Sequence, residues 1–171
     1  MLFMRISLKT KFISALCLVL LVNFSFAQNT TKKFDQGFRL GFGVSGGVPT
    51  TKTYDFALGI DGRLQYDLSK STSLTFTTGF TNLFVGNSLP DIGFIPAKAG
   101  FKAFVLEDSF YVMGEAGAAF AITNGYNETS FLFAPSIGYA NKNFDISLRY
   151  EDYQKFNTNQ IALRLAYGFK I

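Results

Sequence analysis

From Phe38 onward, large apolar residues alternate with small or charged ones at a period of two, in segment after segment. The stretch Phe56-Ala57-Leu58-Gly59-Ile60-Asp61-Gly62-Arg63-Leu64-Gln65-Tyr66 shows the pattern. So does Gln160-Ile161-Ala162-Leu163-Arg164-Leu165-Ala166-Tyr167-Gly168-Phe169-Lys170-Ile171. A period of two puts alternate side chains on opposite faces of a β-strand. Eight strands are predicted, over 38–48, 55–67, 72–84, 93–105, 109–122, 130–140, 143–152 and 159–171. Most are long enough to cross a bilayer when tilted, which takes about 9–11 residues. The connections alternate in length: tight at 67–71, 106–108 and 141–142, longer at 49–54, 84–92, 123–129 and 153–158. Short periplasmic turns and longer outer loops are the habit of an outer-membrane barrel. The predicted fold is all-β: an eight-stranded antiparallel up-and-down transmembrane β-barrel.

Alternation alone leaves the inside undecided, because a soluble lipocalin-like calyx alternates with its apolar face inward. Volume decides. An eight-stranded barrel has an interior just wide enough to be filled by side chains. The apolar face carries about thirty bulky residues, among them Phe42, Leu58, Ile60, Phe76, Phe133, Ile137 and Leu163, which would overfill it. The other face offers Gly43, Ala57, Gly59, Thr77, Gly100, Gly117, Ser136, Gly138 and Ala162, which suit a narrow lumen. The apolar face is therefore expected to face lipid. Two belts of aromatics agree with this. Phe38, Tyr66, Phe110, Tyr139, Phe144, Tyr167 and Phe169 fall near the periplasmic strand ends, and Phe56, Phe84, Phe120, Phe131 and Tyr150 near the outer ends. Such girdles mark the two membrane interfaces. On this assignment Leu58→Arg is costly and Ala57→Ser nearly silent.

The amino terminus adds a destination. Arg5, Lys9 and Lys11 precede an apolar run, Phe12 to Val22, that is short for a membrane span. Ser25-Phe26-Ala27 offers small residues where a signal peptidase reads. A cleavable Sec signal peptide is expected over 1–27, cut after Ala27, then a short periplasmic lead-in over 28–36 and the barrel domain over 37–171. A lipoprotein signal at Cys17 is disfavoured by Leu16, where a small residue is wanted. Cleavage changes the charge picture. The full chain carries +4, but three of its sixteen basic residues and none of its twelve acids lie in the signal, leaving thirteen against twelve, or +1. A chain so balanced gives no argument for nucleic acid. The single Cys leaves with the signal, so the remaining chain forms no internal disulfide.

The inward face also carries charge: Arg39, Asp61, Arg63, Lys98, Lys102, Glu115, Asp145, Arg149, Glu151, Arg164 and Lys170. Unpaired charge in a narrow, low-dielectric lumen is expensive, so these side chains are expected to pair as a lumen charge network. By height along the strands, Asp61, Arg63, Lys98, Glu115, Arg149 and Arg164 fall near mid-barrel. A narrow polar path for small solutes or ions is the alternative reading. Catalysis is not expected. The chain has no His, which removes Ser–His and Cys–His nucleophile systems and most zinc sites. Asp61 and Glu115 could form an acid–base pair, but each sits among cations. No phosphate loop, dinucleotide fingerprint or Cys cluster is present, and no metal or cofactor is expected.

Several segments carry a resemblance: Ile95-Pro96-Ala97-Lys98-Ala99-Gly100, Gly114-Glu115-Ala116-Gly117, Phe131-Leu132-Phe133-Ala134-Pro135-Ser136-Ile137-Gly138-Tyr139, and Phe144-Asp145-Ile146-Ser147-Leu148-Arg149-Tyr150. With the final strand, they make residues 37–171 resemble the small outer-membrane β-barrel proteins of the OmpA, OmpX and OmpW type, as found in Bacteroidetes-like bacteria. The last strand resembles the targeting strand read by the barrel-assembly machinery, with Ile171 in place of a final aromatic and Phe169 two residues back on the same face. The resemblance implies outer-membrane residence, contact with outer-membrane lipid, and passage through periplasmic chaperones and the assembly machinery. Family members have structural, adhesive and permeability roles. The expected function is therefore a structural or envelope-interaction role with a largely occluded lumen; the alternatives are a narrow pore and a soluble periplasmic lipocalin-like binding barrel.

Overall fold

The computed structural model describes residues 36–86, 90–106 and 109–171. The expected signal over 1–27 with Cys17 and its cut after Ala27, and all of the lead-in except Gln36, lie outside the described residues. Eight strands follow in order: β1 (Phe38–Pro49), β2 (Phe56–Asp67), β3 (Thr72–Phe84), β4 (Ile92–Leu106), β5 (Phe110–Ala121), β6 (Thr129–Ala140), β7 (Phe144–Tyr153) and β8 (Thr158–Lys170). Each pairs antiparallel with its sequence neighbours, and β8 pairs with β1 from Arg39↔Lys170 to Pro49↔Gln160, closing a barrel. Closure leaves no edge strand with unpaired backbone groups, which water-free surroundings would punish.

The register fixes the dimensions. Partners can be followed from Leu40 through Leu64, Phe76, Ala99, Ala116, Phe133, Asp152 and Asn159. Asn159 then accepts from the amide of Thr50, ten residues along β1 from the start. A stagger of ten over eight strands tilts the strands about 40° and sets the radius to the backbone at about 8 Å. Such a tube holds side chains and little else.

The faces divide as the alternation requires. Phe42, Leu58, Ile60, Phe76, Ile137 and Leu163 are exposed on the outer wall, whereas Arg164 is only 1% exposed and Glu115 likewise 1%. The interior is therefore polar at its centre, the reverse of an apolar calyx. The outer aromatics form cross-strand pairs. Phe38–Tyr66, Phe110–Tyr139 and Phe144–Tyr167 meet at the tight-turn end, with ring centroids 4.8, 5.1 and 5.4 Å apart. Phe56 stacks on Phe84 at 4.5 Å at the loop end. Directly opposed rings of this kind are a unit of sheet stabilisation.

The turns follow their residues. Asn141 Oδ1 accepts the amides of Asn143 and Phe144 at 3.0 and 2.9 Å, an Asx turn that joins β6 to β7. Between β5 and β6, Asn124 and Gly125 take φ of 55° and 80°, and the Tyr126 amide donates to Thr123 at 3.0 Å. Both central residues at positive φ make this an Asn-Gly turn of the hairpin type. A 3₁₀ turn, Gln154–Phe156, leads into β8 and ends on Asn157 at φ 45°.

One part of the interior departs from expectation. At the loop end, inward positions hold large apolar side chains: Leu83, Ile92, Phe94, Leu132 and Tyr153, with Ala57, Ala119 and Ala121 between them. Phe94 stacks on Tyr153 at 4.7 Å and meets the edge of Phe156 at 5.1 Å. This plug caps the charged tier. Ala57, 2% exposed, belongs to it, and its register partner Gly47 lies against the Gln160 side chain.

A charge-paired lumen as the candidate functional site

The period of two delivers ionic side chains to the axis in pairs. β2 brings Asp61 and Arg63, β4 Lys98 and Lys102, β7 Asp145, Arg149 and Glu151; β5 adds Glu115 and β8 adds Arg164. Nine of these form one connected chain in which the sign alternates at every step. Lys102 meets Asp145 at 2.8 Å, Asp145 meets Arg164 at 3.6 Å, and Arg164 meets Asp61 at 2.5 Å. Asp61 meets Arg149 at 3.4 Å, and Arg149 meets Glu151 at 3.3 Å. Glu151 meets Lys98 at 2.6 Å, Lys98 meets Glu115 at 3.9 Å, and Glu115 meets Arg63 at 3.3 Å. The chain runs through β4, β7, β8, β2 and β5, so it ties walls of the barrel that share no hydrogen-bonded edge.

Neutral groups complete the anions. Glu151 also accepts from Gln160 Nε2 at 2.6 Å and from the Tyr153 hydroxyl at 3.1 Å. Glu115 accepts from the Thr77 hydroxyl at 2.6 Å, and Arg63 Nε donates to that same hydroxyl oxygen at 2.9 Å. Asp145 accepts from the Tyr111 hydroxyl at 2.8 Å, while the Lys102 ammonium lies 3.8 Å from the Tyr111 ring centre, a cation–π contact. Arg164 grips Asp61 through both Nε and Nη2, the bidentate geometry peculiar to guanidinium and carboxylate. Charges taken from water are repaid only by such multiple contacts.

Glycines make the room. Gly43 lies between Asp61 and Ala166 in the register, and a Cβ there would stand 2.8 Å from the guanidinium carbon of Arg164. Gly100 does the same for Glu115, whose Cγ would be 2.6 Å from an added Cβ. A long ionic side chain on one strand thus lies over a glycine on the next.

Two expected members stand elsewhere. Arg39, with 36% of its side chain exposed, pairs with Asp67 at 2.9 Å at the tight-turn end and does not join the nine. Its height explains this: it begins β1, where the lumen opens. Lys170 is exposed at the far end of β8. Sequence reasoning placed Thr77 on the inner face without a role and missed Asp67, Tyr111, Tyr153 and Gln160. Each of the four missed residues lies an even number of positions from a recognised inward charge on its own strand, Tyr111 being four from Glu115. Parity, applied to polar and aromatic residues alike, would have found them.

The arrangement stabilises charge and leaves little to do chemistry with. Each of the four carboxylates in the chain touches two cations, so none is a free base or a free metal ligand. Among the described residues, no group of three His, Cys, Asp or Glu is placed to hold a metal ion.

Comparison with known proteins sets this geometry in context. No protein-family model matches the chain, and no curated protein does. Solved structures do. Ail, the attachment invasion locus protein of Yersinia pestis, in complex with the heparin analogue sucrose octasulfate, aligns with a TM-score of 0.58 at 16% identity, over 81% of this chain and 100% of Ail. The N-terminal β-barrel domain of Pseudomonas aeruginosa OprF aligns at 0.55 and 12% identity, over 79% of this chain and all of that domain. A de novo designed transmembrane β-barrel aligns at 0.53 and 17%, over 80% and 99%. The fold is that of the small outer-membrane barrels. At these identities the likeness is one of fold, and a designed barrel shares it with natural ones.

Proposed function

We propose that this protein is an integral outer-membrane β-barrel with a structural or envelope-interaction role, no catalytic activity, and a lumen closed by its own ion pairs and apolar plug. The observation that carries the reading is the inversion itself: bulky apolar residues exposed all round the wall, and charge sealed inside. The height fits a membrane. From Phe56 to Tyr66, the two belts on β2 are ten residues apart. Ten steps at a 40° tilt rise about 25 Å, the height of the apolar band on outer-membrane barrels. Export through the Sec pathway with cleavage after Ala27, insertion by the assembly machinery with periplasmic chaperones, and contact with outer-membrane lipid complete the proposal.

The absence of catalysis is supported by the saturation of Asp61 and Glu115 with cations. Ail's heparin analogue is a polysulfated ligand, and the described outer loops of this chain offer no cluster of cations to match it. Its described outer-loop charges are Lys52, Asp55, Asp91, Glu128 and Lys155, with Lys155 already 3.4 Å from Glu128. An envelope contact by this barrel would therefore use the uncharged Thr, Asn and Tyr of its loops. Two measurements test the proposal together. Fractionation should recover a detergent-requiring, heat-modifiable protein from the outer membrane, beginning at Gln28. Planar-bilayer recording should give no unitary steps. Clean, reproducible steps would replace the closed barrel with the narrow pore, and a detergent-independent periplasmic protein would end the membrane reading.

A further inference from the structure

The alternating chain of nine begins and ends on a cation, Lys102 at one end and Arg63 at the other. It therefore holds five positive and four negative groups, and the Arg39–Asp67 pair adds one of each. One positive charge of the described interior has no counterpart. Ser147 Oγ, on the central tier, lacks a partner, and so do three further buried polar atoms: Arg63 Nη1, Arg149 Nε and Ser136 Oγ. Their residues are 4%, 3% and 6% exposed.

The residues that carry these atoms come from facing walls, and the register sets them on one tier. Ser136 on β6 is the register partner of Arg149 on β7, and both side chains face inward. Arg63 crosses from β2 to reach Glu115 on β5. The β5 partner of Ser136 is Met113, the next inward position from Glu115. The guanidinium of Arg63 thus ends one inward position from Ser136. What it meets there is a set of donors: two guanidinium N–H groups and a hydroxyl that can turn its hydrogen inward. Gln160 Oε1, an unpartnered acceptor, lies higher, beside Glu151 and Tyr153.

We propose that a monovalent anion of halide size binds in the lumen between Arg63, Arg149 and Ser136. A water molecule would satisfy the donors and leave the charge; an anion satisfies both. The site follows from the interior alone and holds whatever role the barrel has in the envelope.

The test uses the whole barrel refolded in vesicles. Unfolding is followed at constant ionic strength while sodium bromide replaces sodium gluconate, whose anion is too large for the lumen. A single site makes the folding constant rise about tenfold per tenfold rise in bromide once the dissociation constant is exceeded. Ser136→Asp supplies an internal carboxylate beside Arg149, so its folding constant should lose that bromide dependence and keep only the general salt response. Crystals grown in bromide should show an anomalous peak within hydrogen-bond reach of Arg63 and Arg149. Equal folding constants for the wild-type barrel in the two salts, or the same bromide slope in wild type and Ser136→Asp, would overturn the site. If Ser136→Asp fails to fold, the wild-type salt comparison and the bromide crystals decide it.

Discussion

Asp61 is where the charge chain is most open to attack. It accepts from Arg164 at 2.8 Å through Nε and 2.5 Å through Nη2, and from Arg149 at 3.4 Å. Asp61→Asn keeps the size of the side chain and removes its charge. Breaking a buried ion pair from one side costs about 3–5 kcal/mol, because the partner remains buried and unpaired. Here each abandoned cation keeps a second anion, Arg164 its contact with Asp145 and Arg149 its contact with Glu151. The loss therefore falls at the low end, about 3 kcal/mol. Urea unfolding in vesicles measures it. The chain has no Trp, so far-UV circular dichroism and the heat-modifiable gel shift replace indole fluorescence. Asp55→Asn, on an exposed loop, is the control and should move stability by less than about 0.5 kcal/mol. The double variant Asp61→Asn with Arg164→Met removes one charge of each sign and should lose less than the sum of its singles, by about 1–3 kcal/mol. An Asp61→Asn barrel as stable as the wild type, or a strictly additive double variant, would refute the idea that these pairs are worth their burial.

The remaining perturbations probe the wall, the plug and the shelves. Leu163→Arg and Leu58→Arg, at exposed positions of the apolar band, should each cost about 2–4 kcal/mol in a bilayer near its midplane, read by the same unfolding titration. Phe94→Ala empties the centre of the plug and should cost about 3–5 kcal/mol, whereas Ala57→Ser, beside the unpartnered Gln160 Oε1, should be nearly silent. Gly43→Ala drives a methyl into the Arg164 guanidinium and should cost about 1–3 kcal/mol, a loss that Arg164→Met should largely relieve in a double variant.

The strands were readable because charges and glycines on the inner face alternate with mostly bulky apolar neighbours, as at Phe42-Gly43-Val44 and Leu163-Arg164-Leu165. Length and alternation settle such an element, since a slip of one residue would reverse its faces. The predicted and observed strand ends differ by one residue at most, for instance 93–105 against Ile92–Leu106. The plug was not readable in this way. Ile92 and Phe94 share the inward parity of Lys98, yet they look like the wall residues Ile95 and Phe101. Residue type announces a face only where the two faces differ in chemistry, and at the loop end both are apolar. The pairing within the charge chain was out of reach for another reason. Arg164 and Asp61 are 103 residues apart, and their meeting depends on the ten-residue stagger that closes the barrel. Local periodicity sets the face and the height of each charge but not which wall stands opposite.

That same non-locality explains what an ionic interior does for a barrel of this size. Neighbouring strands are held by backbone ladders, which tolerate a slip in register because one backbone group resembles the next. A slip of β7 by one residue would carry Asp145, Arg149 and Glu151 to the wall and bring Ile146, Leu148 and Tyr150 to the axis. Arg149 alone would then cost about 2–4 kcal/mol near the bilayer midplane. Asp61 on β2, the partner of Arg149, and Lys98 on β4, the partner of Glu151, would be left buried and short of an opposite charge. A purely apolar lumen would impose no such penalty, since Leu in the wall and Leu at the axis are nearly equivalent. The charge chain makes the wrong registers expensive on both faces at once, and most of its links between strands, such as Asp61 to Arg164 and Lys98 to Glu151, join strands that share no ladder. Its stabilising effect in the native state is modest by comparison. The larger effect is on the alternatives.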